Sequence, residues 1–262
     1  MRLRSTASFC LLAAGAAVTA GVLGGGCFPA AGEGVDPPAN NFYFPVGLAI
    51  SRGGNVLYAV NSDFDLQWNG GTIQSLDLHA IRRDAVAAIA DPNDPNLPLA
   101  QPPDPNASCP NGPPVITTLF DAGVVPGQAC APPTNTSFYV RDSAVIGAFA
   151  TDLQLSRIQN PDAAGSSRLF APVRGDASLS WADVADDDPA IPPSASDTAA
   201  TYKPFQLDCG VRDAQNRCDG LHRTGNDAGQ PGDTRLITMP GEPFGMAQSE
   251  DGQAIVLTHQ SD

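Results

Sequence analysis

The chain has 262 residues and a formal net charge of −14, and its single Lys is Lys203. This acidic balance argues against nucleic-acid phosphates and anionic membrane surfaces as partners, because binding to either needs basic patches. With 25 Pro, 26 Gly and only 16% charged residues, the chain has short apolar runs between turn-forming residues. This pattern favours an all-β fold with long irregular loops.

Residues 1–26 have the pattern of an export signal. Arg2 and Arg4 form a basic start, and the uncharged stretch 5–32 that follows is apolar and rich in Ala at its centre. A basic start, an apolar core and small residues before the exit are typical of exported proteins. We therefore expect an N-terminal signal helix.

The small residues Gly24-Gly25-Gly26 end at Cys27, which resembles a bacterial lipoprotein signal. The resemblance implies that Cys27 becomes the first residue and carries a lipid that anchors the protein in a membrane. Leu23 stands four residues before Cys27, whereas the lipoprotein pattern prefers three. Phe28 follows the Cys at the position where an Asp retains enteric lipoproteins in the inner membrane, so the resemblance implies the outer membrane. Ordinary cleavage, giving a periplasmic or secreted protein, and an uncleaved membrane helix are the alternatives.

Four cysteines that follow the signal suggest disulfides. Four allow three pairings, and sequence proximity favours Cys109 with Cys130 and Cys209 with Cys218. Oxidising compartments preserve such bonds. The alternative is a metal site of Cys209, Cys218 and His222, but it lacks the close Cys pair of a zinc site. The sequence therefore predicts disulfides, no metal and no cofactor.

A repeat follows a flexible tether predicted at 27–41. Pro45–Asn61 has an alternating apolar strand, a polar turn with Gly54 and a second apolar strand, which is a β-hairpin pattern. Pro243–His259 has the same pattern and aligns with the first copy without a gap. Repetition of a hairpin at long range predicts an array of similar sheets.

Between the two copies the pattern predicts further strands and one helix. Asn69-Gly70 predicts a hairpin turn, and Ile81–Ala90 a short helix. The first unit has predicted antiparallel strands at 45–51, 56–62 and 72–78, with Val115–Phe120 as candidate fourth strand. The second unit has predicted strands within Ala144–Leu155 and at Arg168–Val173, Ser178–Val184 and Phe205–Leu207, and Leu236–Thr238 precedes the last copy.

Tyr58-Ala-Val-Asn61 resembles the YVTN signature of bacterial β-propellers. Pro45-x-Gly-Leu-Ala-x-Ser51 and the closing Leu76-Asp-Leu78 are similar to the other strands of a blade in that family. The resemblance implies four-stranded blades arranged radially about a channel. His259 replaces the signature Asn in the second copy.

We therefore expect an open, partial β-propeller over 42–262, with about two and a half blades. Its units are expected at 42–120, 138–208 and 234–262. The third unit ends at Asp262, after its second strand. Because a closed propeller needs more blades, we expect the N-terminal part of a larger protein or an incomplete reading frame.

Two groups of polar residues have side chains of the kind that bind cations. Asn61, Asp63, Asp65 and Asn69 alternate like oxygen ligands of calcium, but no bidentate acid closes the loop, and a turn explains them better. Asp186-Asp187-Asp188 could meet a cation, and a solvated loop is the preferred interpretation.

No catalytic set emerges from the sequence. His79, His222 and His259 are widely separated, and no Ser, Cys or Asp stands at a spacing that completes a nucleophilic group. The leading hypothesis is a non-enzymatic, envelope-anchored binding or scaffold surface whose partner is an envelope protein or polysaccharide. The alternatives are a propeller enzyme, lactonase-like or redox, with its site in missing blades, and a non-functional truncated product.

Overall fold

Ten β-strands are the main regular elements of the described chain. The computed structural model describes residues 34–89, 136–161, 163–225 and 239–260, and all contacts below lie within the compact unit Val35–Asp262. The strands are β1 Pro45–Ile50, β2 Val56–Asn61, β3 Gly71–Asp77, β4 Val140–Ile146, β5 Gln154–Leu155, β6 Ser166–Val173, β7 Ser178–Ala185, β8 Arg223–Gly225, β9 Pro243–Gln248 and β10 Ile255–His259. The helices in these ranges are α1 Leu78–Ile89 and the short 3-10 turns Thr136–Phe138, Lys203–Phe205 and Gly220–His222.

The strands form two four-stranded antiparallel sheets and one hairpin. The first sheet has the order β1-β2-β3-β4 and the second β5-β6-β7-β8, while β9 pairs with β10. Strand order follows chain order throughout, and none of these sheets closes on itself within the described residues. The prediction of an all-β fold is therefore confirmed.

The main core lies between the two sheets. Because side chains alternate along a strand, Val56, Tyr58 and Val60 of β2 share one face, and they join Leu169 and Ala171 of β6 in a single buried cluster. All five are fully buried. Complete burial of a Val or Leu side chain stabilises a fold by about 1.5–3 kcal/mol. This shared core holds the two sheets face to face.

The second sheet carries the hairpin on its opposite face. Leu179 of β7 and Met246 of β9 are buried together, and Phe170 and Leu257 pack against them. Phe170 and its neighbour Leu169 point to opposite faces of β6, so this strand serves both layers. The layers are therefore stacked in chain order as first sheet, second sheet and hairpin.

The outer face of the first sheet is covered only in part. Ala59 and Leu76 are buried there under Ala80 of α1 and Tyr139. The helix begins where the carboxylate of Asp77 accepts a 2.8 Å hydrogen bond from the Ala80 amide, as a capping residue does. This cover lies over β2 and β3, while the β1 side chains on that face are exposed.

The fourth strand of the first sheet is β4, which pairs with β3. Val115–Phe120, the candidate for that position, lies outside the described residues. The predicted strand pair Ala144–Leu155 is divided, since β4 belongs to the first sheet and β5 to the second. Phe149, with a φ of 59°, lies in the bend between them. An apolar run does not reveal such a bend, so residues 140–146 were assigned to the wrong unit.

The prediction of a strand at Phe205–Leu207 is wrong. Lys203–Phe205 is a 3-10 turn, and Tyr58 donates a 2.9 Å hydrogen bond from its hydroxyl to the carbonyl of Pro204. Proline lacks the N–H that a strand ladder needs, and Phe205 is instead fully buried between the sheets. The fourth strand of the second sheet is β8.

The prediction of a hairpin turn at Asn69-Gly70 is also wrong. The nine-residue loop 62–70 joins β2 to β3 instead. Its positive φ angles are at Asp63 and Leu66. Gly70 is required for another reason: the carbonyl oxygen of Ile146 lies where a Cβ atom would stand. The glycine therefore allows close packing against β4 rather than a tight turn.

Candidate functional site

The predicted cysteine sites are resolved in part. Cys209 and Cys218 form a disulfide, which confirms that pairing and leaves neither sulfur as a thiolate ligand beside His222. Cys27, Cys109 and Cys130 lie outside the described residues, so lipidation at Cys27 stays a prediction. In the ranges that the structure describes, no helix has the length and apolar character to cross a membrane.

The disulfide loop protects an edge of the first sheet. The amide of Val145 in β4 donates to the Asn216 carbonyl at 2.9 Å, and the Cys218 amide donates back to the Val145 carbonyl at 3.0 Å. Arg212 holds both oxygens of Asp142 at 2.9 and 2.8 Å. Uncovered edge strands invite pairing with other chains, so this loop has a protective, structural role.

Within the described residues, His222 is the one predicted histidine whose ring contacts a carboxylate. Its Nδ1 lies 2.8 Å from Oδ1 of Asp219. Burial pushes the pKa of Asp219 up, but hydrogen bonding and the charge of His222 outweigh it and hold that pKa below its ordinary value. Ser180 lines the same cleft of about 10 Å³, yet no hydrogen bond joins its hydroxyl to the ring. The group therefore has a base and an orienting acid without a nucleophile in contact.

Asp187 is not part of a solvated loop, so that interpretation of the Asp186–Asp188 run is wrong. The side chain is buried, and its carboxylate accepts hydrogen bonds from Ser51 Oγ at 2.7 Å and from the amides of Gly53 and Asn55 at 2.5 and 2.8 Å. These donors form the turn between β1 and β2. Asp187 therefore joins the first sheet to the second.

The calcium-like residues of loop 62–70 are engaged with the chain itself. Asn61 donates to Thr72 Oγ1 at 2.9 Å, and Asp63 accepts from the Trp68 amide at 3.1 Å. Asn69 donates to a carboxylate oxygen of Asp36 at 2.9 Å. These contacts organise the loop.

Asp63 is the electrostatically unusual member of that loop. Its Oδ2 atom is buried without a partner in the described chain, and burial raises its pKa to about 6. Across the described residues, no three His, Cys, Asp or Glu side chains form a metal-binding group. Asp63 is therefore a source of pH dependence rather than a recognisable ligand.

A small cavity of about 180 Å³ lies beside β3 and β4. Thr72, Ser143 and Asn216 line it, and Asp36 is the one ionisable group among its lining residues. Such a volume holds about six water molecules. It offers hydrogen bonds but does not bring a nucleophile to a base.

Two bare sheet faces are the most prominent exposed features. The first, the β1 face, consists of Val46, Leu48 and Ile50, which are all exposed. The second, the hairpin face, lies on the side of β9 and β10 away from the second sheet and is built from Gly245, Ala247, Val256 and Thr258. Exposed apolar patches of this kind mark interaction surfaces.

The sequence did not single out these faces as a site, because alternation shows that a residue shares a face with others but not which faces are covered. Comparison of the chain with protein-family models, with curated proteins and with solved structures finds no match. The candidate site is therefore the pair of apolar sheet faces, and the chemistry it supports is binding.

Proposed function

We propose that this protein is a lipid-anchored β-propeller protein of the YVTN type that acts as a binding or scaffold surface in the cell envelope. Export and anchoring are supported by the basic, apolar and small-residue segments that end at Cys27. The lipid at Cys27 would hold the protein at the outer membrane, and residues 27–41 would give the sheets reach.

The blade arrangement is supported by three features. Each four-stranded sheet is antiparallel with strands in chain order, the layers stack in chain order, and a hairpin pattern returns at the third layer. A propeller repeats such sheets about a channel. The β9–β10 hairpin would then be the first half of a third blade.

The observation that carries the binding role is the exposure of Leu48 and Val256 at opposite ends of the stack. Burying a large aliphatic side chain stabilises an interface by about 1.5–3 kcal/mol, so each face has a driving force to recruit a partner. By contrast, the acid–base pair His222 and Asp219 is only partly exposed, so it does not offer a surface comparable to the two sheet faces.

Photo-crosslinking in intact cells tests this proposal. The full chain with its own signal would carry a photoreactive residue at Leu48, at Val256 or, as a control, at Val211, which is 85% exposed in the disulfide loop. We expect adducts from the two face positions and none from the control. Equal labelling at Val211, or no adduct from either face, would overturn the binding role.

Anchoring has its own measurement. Replacing Cys27→Ala should abolish incorporation of a labelled fatty acid and move the protein from the membrane fraction to the soluble fraction. A Cys10→Ala variant is the matched control, since Cys10 lies inside the signal. Unchanged membrane association of Cys27→Ala would contradict lipidation at that residue.

A further inference from the structure

The two hairpins of the repeat are identical in strand register. Leu48 pairs with Ala59 in the first copy, and Met246 pairs with Leu257 in the second. Pro45 opposite Asn61 likewise corresponds to Pro243 opposite His259, and each copy has its register shift next to that pair. Equivalent residues therefore point to equivalent faces.

The turns match bond by bond. In the first copy the Ser51 amide donates to the Val56 carbonyl at 2.9 Å, and the Gly54 amide donates to the Ser51 carbonyl at 3.0 Å. The second copy has the same two bonds at the same distances, from Ser249 and from Gly252. The repeat is thus a structural repeat, and its packing can be compared residue by residue.

The β1 face corresponds to a face that is buried in the second copy. Leu48 is 60% exposed, whereas its equivalent Met246 is 8% exposed because it packs against Leu179 of the second sheet. Val46 corresponds to Phe244, which is also exposed, although its ring lies under the Arg174 guanidinium at 5.9 Å. The β1 face is therefore the type of surface that receives the preceding layer of the stack.

The hairpin face corresponds to a face that is buried in the first copy. Tyr58 is fully buried against the second sheet, whereas its equivalent Val256 is 62% exposed. Gly47 lies so close to Leu153 that a Cβ atom there would stand 2.5 Å from its amide nitrogen, while its equivalent Gly245 has a single neighbour, the Thr258 hydroxyl, at 3.0 Å. The hairpin face is therefore the type of surface that receives the following layer.

We propose that the hairpin face of one copy of this chain packs on the β1 face of a second copy, so that copies associate head to tail. This inference rests on the proposed binding function and names the partner of the same surfaces. The β1 face has three large aliphatic side chains, whereas the hairpin face has small residues around Val256, and a large side chain likewise packs on a small residue where Leu153 meets Gly47. Because the two surfaces differ, the contact is heterologous and continues into a ring or a filament.

A second molecule of this chain is the expected partner because it carries both kinds of surface. Within one molecule, each kind of surface is already buried against a neighbouring layer in the other hairpin of the repeat. Leu48 and Val256 are both exposed, and no segment among the described residues covers either face. The contact continues the established stacking of first sheet, second sheet and hairpin by one further layer.

The proposed contact between molecules differs from the contact between the two sheets in having no buried carboxylate. In the first copy Ser51 Oγ and the Asn55 amide donate to Asp187. In the Pro243–His259 hairpin of the same molecule, the equivalent donors are Ser249 Oγ and the Gln253 amide. Both donate to Asp251 of their own turn, at 2.6 and 3.1 Å. Association is therefore apolar and depends little on salt.

Sedimentation velocity of the purified full chain over a concentration series tests the proposal. Leu48→Glu blocks the β1 face and Val256→Glu the hairpin face, and each should weaken self-association about tenfold or more, because an unpaired charge is buried in an apolar contact. An equimolar mixture of the two variants should form dimers and nothing larger, since each retains the face that the other lacks. Val211→Glu, at an exposed site elsewhere, should associate like the unaltered chain, and equal melting temperatures show that all variants fold.

Three results overturn the inference: a monomeric unaltered chain, self-association unaffected by either variant, or a mixture of the variants that stays monomeric. The proposed function is separable, because the photoreactive chain reports its partner by mass. Adducts from Leu48 to another envelope component, together with a monomeric chain, would contradict copy-to-copy stacking and retain the binding role.

Discussion

Ser51 Oγ and Asp187 Oδ2 are 2.7 Å apart although 136 residues separate them in the sequence. The same carboxylate accepts the Gly53 and Asn55 amides, so one buried side chain holds the whole β1–β2 turn against the second sheet. Burying a carboxylate is unfavourable unless its oxygens are hydrogen-bonded, and here three donors meet that need.

Removing this carboxylate should destabilise the fold. Asp187→Ala leaves buried donors without an acceptor, so we expect the free energy of unfolding to fall by about 3 kcal/mol. Equilibrium unfolding in urea measures it. Asp188→Ala, next to it but exposed, should cost less than about 1 kcal/mol, and equal losses from the two variants would contradict the role assigned to Asp187.

The two repeat-equivalent glycines should respond differently to the same change. Gly47→Ala forces a methyl group against the backbone of Asp152 and Leu153 and should cost about 1–3 kcal/mol in unfolding free energy. Gly245→Ala meets only the Thr258 hydroxyl and should cost less than about 0.5 kcal/mol. Thermal unfolding of the two single variants measures this difference. A large loss of stability from Gly245→Ala in the monomer would mean that the hairpin face is covered.

Loss of the disulfide should weaken the chain through its unfolded state. A loop closed between Cys209 and Cys218 restricts the unfolded ensemble by about 3 kcal/mol in the chain-entropy model. We expect that loss in urea unfolding of the double variant Cys209→Ser, Cys218→Ser. Reductant alone is a poorer test, since it acts on every cysteine pair, and a loss below about 1 kcal/mol would show that the loop is held by Arg212 and Asp142 instead.

Asp63 should make stability depend on pH in the acid range. Its folded pKa of about 6 lies above the ordinary value of 3.8 because the carboxyl is buried. Between those values the folded state binds more protons than the unfolded state, so stability falls as pH rises from about 4 to 6 and then levels off.

Asp63→Asn removes this proton and keeps an acceptor for the Trp68 amide. The unfolding free energy of the variant relative to the unaltered chain should rise by about 2 kcal/mol from pH 4 to pH 7. Asp65→Asn, in the exposed part of the same loop, is the matched control for the loss of one charge, and an equal pH-dependent difference in both variants would contradict the role assigned to Asp63. Parallel curves for Asp63→Asn and the unaltered chain would rule out the burial effect.

Much of the local structure could be predicted. Period-two alternation located β1, β2 and β3, and the gapless repeat located β9 and β10, because both depend on neighbouring residues. The short helix near Ile81 and the pairing of Cys209 with Cys218 were also predicted correctly. By contrast, β4 and the turn at Lys203–Phe205 were missed, since only contacts between distant segments decide them.

The sequence by itself determined that this is an all-β chain with a repeated hairpin, because alternation and the Gly-bearing turn of Ser51–Asn55 act over a few residues. The tertiary structure alone decided which faces are buried. It buried Asp187, which the sequence had suggested was solvated, and left Leu48 exposed while burying its equivalent Met246. Burial depends on which layers meet, so equivalent residues in two copies of a repeat differ when, among the described residues, a layer covers that face in one copy and not in the other.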